Sequence, residues 1–144
     1  MNLPDINVLV YAMRKDAIEH KIAREWLSAT LSSGQRFGIS PLALNAVARL
    51  VTNGRIYKNP STLQEAFEFT DTILRQSNCE IVEPGERHWD IFKRLCLETN
   101  TTGPNISDVW YAALALEHGC EWITFDRDFA KFPGVKWRAP TALG

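Results

Sequence analysis

The chain has 144 residues, with 16 basic and 17 acidic side chains, a net charge of −1 and 45% hydrophobic residues. These values predict one globular domain over residues 1–144 and argue against disorder or a protein that coats nucleic acid through bulk positive charge. No apolar run approaches the roughly 20 residues of a membrane span. Asp5 stands where a signal peptide needs a basic flank and an apolar stretch, so we expect a cytoplasmic protein.

The three cysteines, Cys79, Cys96 and Cys120, are odd in number, widely separated and without a CxxC pair. This spacing is typical of neither a disulfide framework nor a zinc site. We therefore expect all three to be reduced residues that serve packing.

The chain begins with a predicted strand and a helical segment. Residues 1–7 read as a short strand that ends in two polar residues, Asp5 and Asn7, and a helical turn or two follows. The apolar spacing of residues 16–34 predicts a helix that stops at Gly34. An acidic side chain thus stands at the end of the first predicted strand.

A second predicted strand, residues 36–40, leads into a helix over residues 40–53 with Pro41 at its first position. Asn45 and Arg49 stand four residues apart on this helix, so they share one face. We expect both to face the same crevice.

The next two predicted helices flank a third strand. The first, over residues 61–76, opens with a Ser61–Gln64 pair that predicts a capping box, and the second covers residues 86–98. Apolar periodicity predicts that the first helix is amphipathic, through Leu63, Phe67 and Leu74, and that the second packs inward through Trp89, Phe92 and Cys96.

A helix predicted over residues 106–119 carries Asp108 in its first turn and has Gly119 as its stop. Ala112 and Ala115 present almost no side chain, so the helix can lie close to the sheet with Asp108 directed at the sheet edge. An Asp in a first turn is also favoured by the helix dipole whatever its function.

Residues 121–129, EWITFDRDF, read as a buried strand that ends in Asp126 and Asp128. Acids at the carboxyl end of a parallel strand face the crevice in which ligands bind. Two Asp residues at this place indicate either a metal site or a turn, because Asp is also common where a chain leaves a strand.

Helices between successive strands require parallel crossovers, so the sequence predicts a three-layer α/β/α sandwich with a small, mostly parallel central sheet. Four acids lie at element ends on the ligand side of this sheet: Asp5, Asp108, Asp126 and Asp128. Two unit charges about 4 Å apart repel by roughly 4 kcal/mol at an effective dielectric of 20, and a divalent cation removes this cost. Ligation by oxygen alone favours Mg²⁺ or Mn²⁺ over zinc.

The sequence resembles the PIN-domain ribonucleases, and within them the VapC-type toxins of bacterial toxin–antitoxin pairs. Four segments carry this resemblance: DINVLVYA, ISPLALNAVARLVTN with its TNGRI continuation, ISDVWYAALALEHG and ITFDRDF. The resemblance implies that Asp5, Asp108 and Asp126 are acids of a metal site. It also implies that Asp128 is a further acid of the same site, and that Asn7 and Thr124 are polar supports beside it.

One position departs from the family pattern. Family members commonly carry a Glu about three residues before the Arg that corresponds to Arg49, whereas this chain has Asn45 and Ala46 there. Either Asp128 makes up the missing charge, or Asn45 helps through a water molecule, or the metal binds less tightly.

The resemblance implies metal-assisted hydrolysis of RNA phosphodiester bonds, a homodimer and a small cognate antitoxin that covers the acidic crevice. We expect Arg49 and Arg55 to contact the RNA backbone. Apolar helix faces at Leu63, Phe67 and Trp89 fit a dimer or an antitoxin, although core packing is their expected use.

Two other classes of function compete with the nuclease. A phosphoryl-transfer enzyme with an aspartate nucleophile is disfavoured, because only 16 residues follow Asp128. A catalytically weakened PIN-like module that binds RNA or protein is the main alternative.

Overall fold

The computed structural model describes residues 1–141, which form a five-stranded parallel sheet with α-helices on both faces. This architecture confirms the predicted three-layer fold. The strands are β1 (Asn2–Pro4), β2 (Phe37–Ile39), β3 (Cys79–Ile81), β4 (Glu121–Ile123) and β5 (Trp137–Arg138). The helices are α1 (Ile6–Met13), α2 (His20–Ser32), α3 (Pro41–Val51), α4 (Leu63–Leu74), α5 (His88–Thr99) and α6 (Ile106–His118). No helix within the described residues is long and apolar enough to cross a membrane.

Two apolar clusters separate the sheet from its helical layers. Trp122 and Ile123 are successive residues of β4, so their side chains point to opposite faces of the sheet and join different clusters. The Trp122 cluster includes residues of α5 and α6, among them Leu95, Val109 and Leu114. The Ile123 cluster includes residues of α1 to α4, among them Leu9, Trp26, Val47 and Ile73.

The strand order is β3-β2-β1-β4-β5, which puts β1 at the centre of the sheet. The chain moves outward from β1 through β2 to β3 and then returns to the other side of β1 for β4 and β5. The strand order therefore reverses between β1 and β4. In open α/β sheets, ligands bind at this reversal, outside the carboxyl ends of the strands.

Two boundary predictions need correction. β1 ends at Pro4 and not at Asn7, because Asp5 caps α1 and Asn7 already belongs to that helix. The capping box of α4 consists of Thr62 and Glu65, one residue later than the predicted Ser61 and Gln64.

The predicted inward face of α4 is wrong, whereas that of α5 is confirmed for Phe92 and Cys96, which pack against the Trp122 cluster, and is wrong for Trp89. Leu63, Phe67 and Leu74 are 61%, 51% and 39% exposed, and Trp89 of α5 is 56% exposed. The buried stripe of α4 consists of smaller or β-branched residues: Ala66, Thr70 and Ile73.

Candidate active site

Asp5 leaves the central strand and begins α1. Its Oδ1 accepts a hydrogen bond of 2.6 Å from the Ile6 amide at the helix N-terminus, and its Oδ2 accepts one of 2.7 Å from the Thr124 hydroxyl. The Asp5 amide donates to the Ile123 carbonyl at 2.8 Å. The carboxylate is therefore oriented by the start of α1 and by the residue that follows β4, and Asp5 is only 8% exposed.

The hydroxyl of Thr124 connects the polar residues that follow β1 and β4. Besides donating to Asp5, it accepts hydrogen bonds from the Asn7 amide group at 3.2 Å and from the Asp126 backbone amide at 3.0 Å. The Asn7 side-chain carbonyl accepts a further bond from the Phe125 amide at 3.3 Å. The structure thus brings Asn7 and Thr124 together with Asp5 and Asp126.

Asp108 reaches the same place from the first turn of α6. Ala112 and Ala115 on this helix are fully buried, as the sequence predicted. Asp5, Asp108 and Asp126 line one cavity of about 290 Å³, which we call the acid cavity. Its other lining residues, within the described chain, include no basic side chain.

Two tyrosines of the acid cavity, Tyr11 and Tyr57, were not predicted from the sequence. Tyr11 stands four residues after Asn7 on α1, so helical spacing could have identified it. Tyr57 lies between α3 and α4, outside regular structure, where no periodicity applies.

Arg14 holds the Tyr57 segment against the end of α1. Its guanidinium donates to the Asn59 carbonyl at 2.9 Å and to the Ser61 hydroxyl at 3.1 Å, and it pairs with the Asp16 carboxylate at 2.6 Å. The same guanidinium lies 4.0 Å from the centre of the Tyr57 ring. Arg14 is 8% exposed, so this buried cation fixes one wall of the acid cavity.

The acid cavity favours positive charge. Burial raises the pKa of Asp5 to about 6, opposed by the hydrogen bonds from Thr124 and Ile6 and reinforced by the charges of Asp108 and Asp126. Burial also raises the pKa of Asp108, with a further increase from Asp126 and a partial decrease from Lys131. The Asp5 and Asp108 carboxylates are therefore costly to ionise unless a cation is nearby.

The remaining predicted site residues lie outside the acid cavity. Asp128 is exposed, and its backbone amide donates to Asp126 at 2.9 Å, so this part of the chain is also a turn. Asn45 and Arg49 line a neighbouring groove, which confirms that they face one crevice. Arg55 is exposed and lines neither cavity.

The amino-acid sequence matches the PIN domain family over residues 3–135. This chain belongs to the PIN-domain family. The VapC ribonuclease Mb2897 of Mycobacterium bovis is 37% identical over 136 residues, which cover 94% of this chain and 92% of the relative. Ribonuclease VapC25 of Mycobacterium tuberculosis is 36% identical over 140 residues, which cover 97% of this chain and 99% of the relative. These identities confirm the resemblance to the VapC ribonucleases.

The fold of this PIN-domain chain is similar to that of VapBC2 from Rickettsia felis, whose crystal structure contains a DNA fragment from the promoter. The TM-score is 0.71 at 19% sequence identity, with coverage of 96% of this chain and 98% of the other. At this level of identity the likeness concerns the fold alone.

PIN-domain ribonucleases of the VapC type generally depend on a divalent metal ion. Within residues 1–141, no three His, Cys, Asp or Glu side chains are close enough to hold one ion together. The oxygen-rich, cation-free lining of the acid cavity nevertheless fits Mg²⁺, which keeps several waters and binds through only one or two carboxylates.

Proposed function

We propose that this PIN-domain chain is a metal-dependent endoribonuclease that hydrolyses phosphodiester bonds in RNA and acts as the toxin of a toxin–antitoxin pair. The observation that carries the proposal is the acid cavity. Three aspartates from remote parts of the chain line it at the reversal of strand order, and the lining contains no basic side chain within the described residues. The similarity to VapC ribonucleases supports the same reaction.

We propose Mg²⁺ as the ion, with Mn²⁺ as a possible substitute, and Asp5, Asp108 and Asp126 as the residues that hold it directly or through water. A bound divalent ion lowers the pKa of a water molecule and stabilises negative charge on the attacking and leaving oxygens. Thr124 and Asn7 orient the Asp5 and Asp126 segments through the hydrogen bonds described above. Asp128 is a more distant acid of the site, since it adds to the negative field at Asp108.

The position of the usual family Glu bears on this assignment. Asn45 and Ala46 line the neighbouring groove, and neither is among the residues of the acid cavity. We therefore propose that Asn45 supports the site from the groove side, and that Arg49 and Arg55 contact RNA phosphates. The alternative of a catalytically weakened binding module is not favoured, because three aspartates remain in one cavity.

A cleavage assay tests the proposal. Purified protein is incubated with single-stranded RNA in Mg²⁺, in Mn²⁺ or in EDTA, and the products are separated by size. We expect cleavage with either ion and none in EDTA. Asp5→Asn, Asp108→Asn and Asp126→Asn should each lower the rate by more than about tenfold, because each removes a charge that faces the ion.

Asp71→Asn is the matched control, because Asp71 is an exposed aspartate of α4 that does not line the acid cavity. Its rate should equal that of the unchanged protein. Equal rates for all four variants, or cleavage that persists in EDTA, would contradict the proposal.

The remaining assignments complete the proposed biology. The proposed partners are an RNA substrate, a small cognate antitoxin protein and a second copy of this chain in a homodimer. No membrane is proposed as a partner. A cytoplasmic location and a single PIN-like domain over residues 1–144 agree with this role, and residues 142–144 lie outside the described part of the chain. Growth arrest on expression, relieved by a small protein encoded next to this gene, is the expected cellular result.

A further inference from the structure

A groove of about 450 Å³ lies beside the acid cavity, between α3, α5 and α6. Its walls carry three aromatic rings, one guanidinium and one amide, from Phe92, Trp110, Tyr111, Arg49 and Asn45. We call this feature the aromatic groove. No acidic residue lines it in the described chain, in contrast to the acid cavity.

The aromatic groove continues from the acid cavity. Ile6 lines both, and Ser107 of the groove precedes Asp108 of the cavity. Burial raises the pKa of Tyr111 to about 12, with a further increase from Asp5 and a decrease from Arg49. The Tyr111 hydroxyl therefore lies within electrostatic range of both the cavity acids and the groove cation.

The Trp110 ring is held in place by its neighbours. The His88 ring meets it edge-on at 4.2 Å between ring centres, and the Phe92 ring lies at 5.4 Å in a T-shaped arrangement. His88 is 1% exposed, and its Nε2 lies 3.0 Å from the Trp110 carbonyl oxygen. An aromatic wall ordered in this way loses little conformational entropy when a ligand binds.

The Arg49 guanidinium is available to an anion. Within residues 1–141, no carboxylate forms an ion pair with it, whereas Arg14, Arg36, Arg94 and Arg138 are all paired. Arg49 is exposed in the last turn of α3, on the face that carries Asn45. The planar guanidinium of Arg49 could therefore donate two parallel hydrogen bonds to two oxygens of a phosphate group at the groove.

We propose that the aromatic groove binds the nucleotide next to the cleaved bond of a single-stranded RNA. The base lies against Trp110 and Phe92, and the adjoining phosphate contacts Arg49. This inference rests on the proposed ribonuclease function. The volume of the groove is within the roughly 300 to 1,000 Å³ of small-ligand pockets, and bases stack on aromatic side chains in sequence-tolerant single-strand binding.

A second copy of this chain is the competing occupant, because Leu42 and Ile106 on the groove are 49% and 39% exposed. Charge and position favour RNA. The groove combines a cation with Asn45 and Ser107 as hydrogen-bonding groups, and it shares Ile6 with the acid cavity where cleavage is proposed.

The test combines a protein variant with an altered substrate. The cleaved bond of a single-stranded RNA is first mapped, and an abasic ribose is then placed on either side of that bond. On the intact RNA, Trp110→Leu should raise KM by about 5- to 150-fold, the range for loss of one stacked base. On the RNA that lacks the base in the groove, the same variant should change KM less than about twofold.

Phe67→Leu is the matched control, because Phe67 is an exposed aromatic residue of α4 that does not line the groove. It should leave KM unchanged on both substrates. If Trp110→Leu raises KM equally on intact and abasic RNA, the base does not occupy the groove and the inference is wrong.

Leu42→Glu provides a second variant at an exposed helix position, where folding is not at risk. Binding of a fluorescein-labelled RNA is measured by anisotropy in EDTA, so that the result does not depend on cleavage. We expect weaker binding with no change in the mass of the protein in solution. Unchanged RNA binding together with a halved mass would assign the groove to a contact between copies and overturn the inference.

Failure of the proposed function has a different signature. If the unchanged protein does not cleave RNA with Mg²⁺ or Mn²⁺, the nuclease assignment fails whatever the anisotropy shows. If it cleaves RNA but Trp110→Leu and the abasic substitution act independently, only the groove assignment fails.

Discussion

Replacement of Asp5 by Asn should make the metal-free protein more stable at neutral pH while it removes activity. The fold raises the pKa of Asp5 from its ordinary value of 3.8 to about 6. The folded protein therefore holds this proton at pH values where the unfolded chain has released it. The stability that Asp5 contributes is present below about pH 4 and is lost as the pH rises through about 6.

The difference of about two pKa units corresponds to roughly 3 kcal/mol between the protonated and ionised forms, at 1.36 kcal/mol per unit. Asn resembles the protonated form but cannot accept both hydrogen bonds, from Ile6 and from Thr124, so about 1 kcal/mol is lost. Above pH 7 the free energy of unfolding of the variant should therefore be about 2 kcal/mol larger than that of the unchanged protein. At pH 4 this advantage should disappear, and the variant should be the less stable protein by up to about 1 kcal/mol because the lost hydrogen bond is no longer offset.

Urea unfolding in EDTA at pH 4, 6 and 8, followed by circular dichroism, measures these differences. Asp71→Asn serves as the control, because this exposed aspartate should give a difference that does not vary with pH. Added Mg²⁺ should stabilise the unchanged protein more than Asp5→Asn, since only the former keeps all three proposed ligands. A constant difference between Asp5→Asn and the unchanged protein from pH 4 to 8 would refute the reasoning.

Three further predictions concern the supports of the site and of the fold. Thr124→Val removes the hydroxyl shared by Asp5 and Asp126, so the Mg²⁺ concentration for half-maximal cleavage should rise by about 10- to 100-fold; an unchanged Mg²⁺ dependence would contradict this role. Thr62→Ala should lower the free energy of unfolding by about 1 kcal/mol, whereas Gln64→Ala should change it by less than about 0.5, because the capping box begins at Thr62. Arg14→Lys keeps the charge but loses the planar set of donors, so amide hydrogen exchange in residues 57–61 should accelerate. Unchanged exchange there would show that the Tyr57 segment is held by other contacts.

Much of the fold was predictable because strands and acids follow one another in a simple order. An apolar, β-prone run followed at once by Asp126 puts that acid at a strand end, and the same holds for Asp5. The parallel crossovers required by the intervening helices bring these ends to one edge of the sheet. The strand order, with β1 at the centre, depends on tertiary packing and could not be predicted from local sequence patterns.

The errors on α4 have a common origin, because two different sets of residues match the same helical spacing and the same capping pattern. Ala66, Thr70 and Ile73 repeat at helical spacing as well as the larger apolar residues do, so periodicity alone did not distinguish the buried stripe. Ser61 and Thr62 both stand three residues before a Gln or Glu. The Ser61 hydroxyl instead accepts a bond from Arg14, a residue 47 positions earlier, which local reasoning could not foresee.

Tyr57 and Arg14 show the limit of reading a site from sequence. Neither follows a strand, and their contact depends on how the segment between α3 and α4 folds back over α1. Residues that form a wall through tertiary packing have no characteristic spacing. Carboxylates at strand ends do follow a recognisable pattern. The acids were therefore predicted from the sequence, whereas Tyr57 and Arg14 were not.

The Thr124 hydroxyl bonds to a carboxylate 119 positions earlier in the chain. During synthesis, everything through α6 can therefore emerge from the ribosome before Asp5 acquires this partner. A nascent or prematurely terminated chain that stops short of Thr124 lacks both this hydroxyl and Asp126, two parts of the proposed site. We therefore expect cleavage of RNA only after translation of a copy is nearly complete.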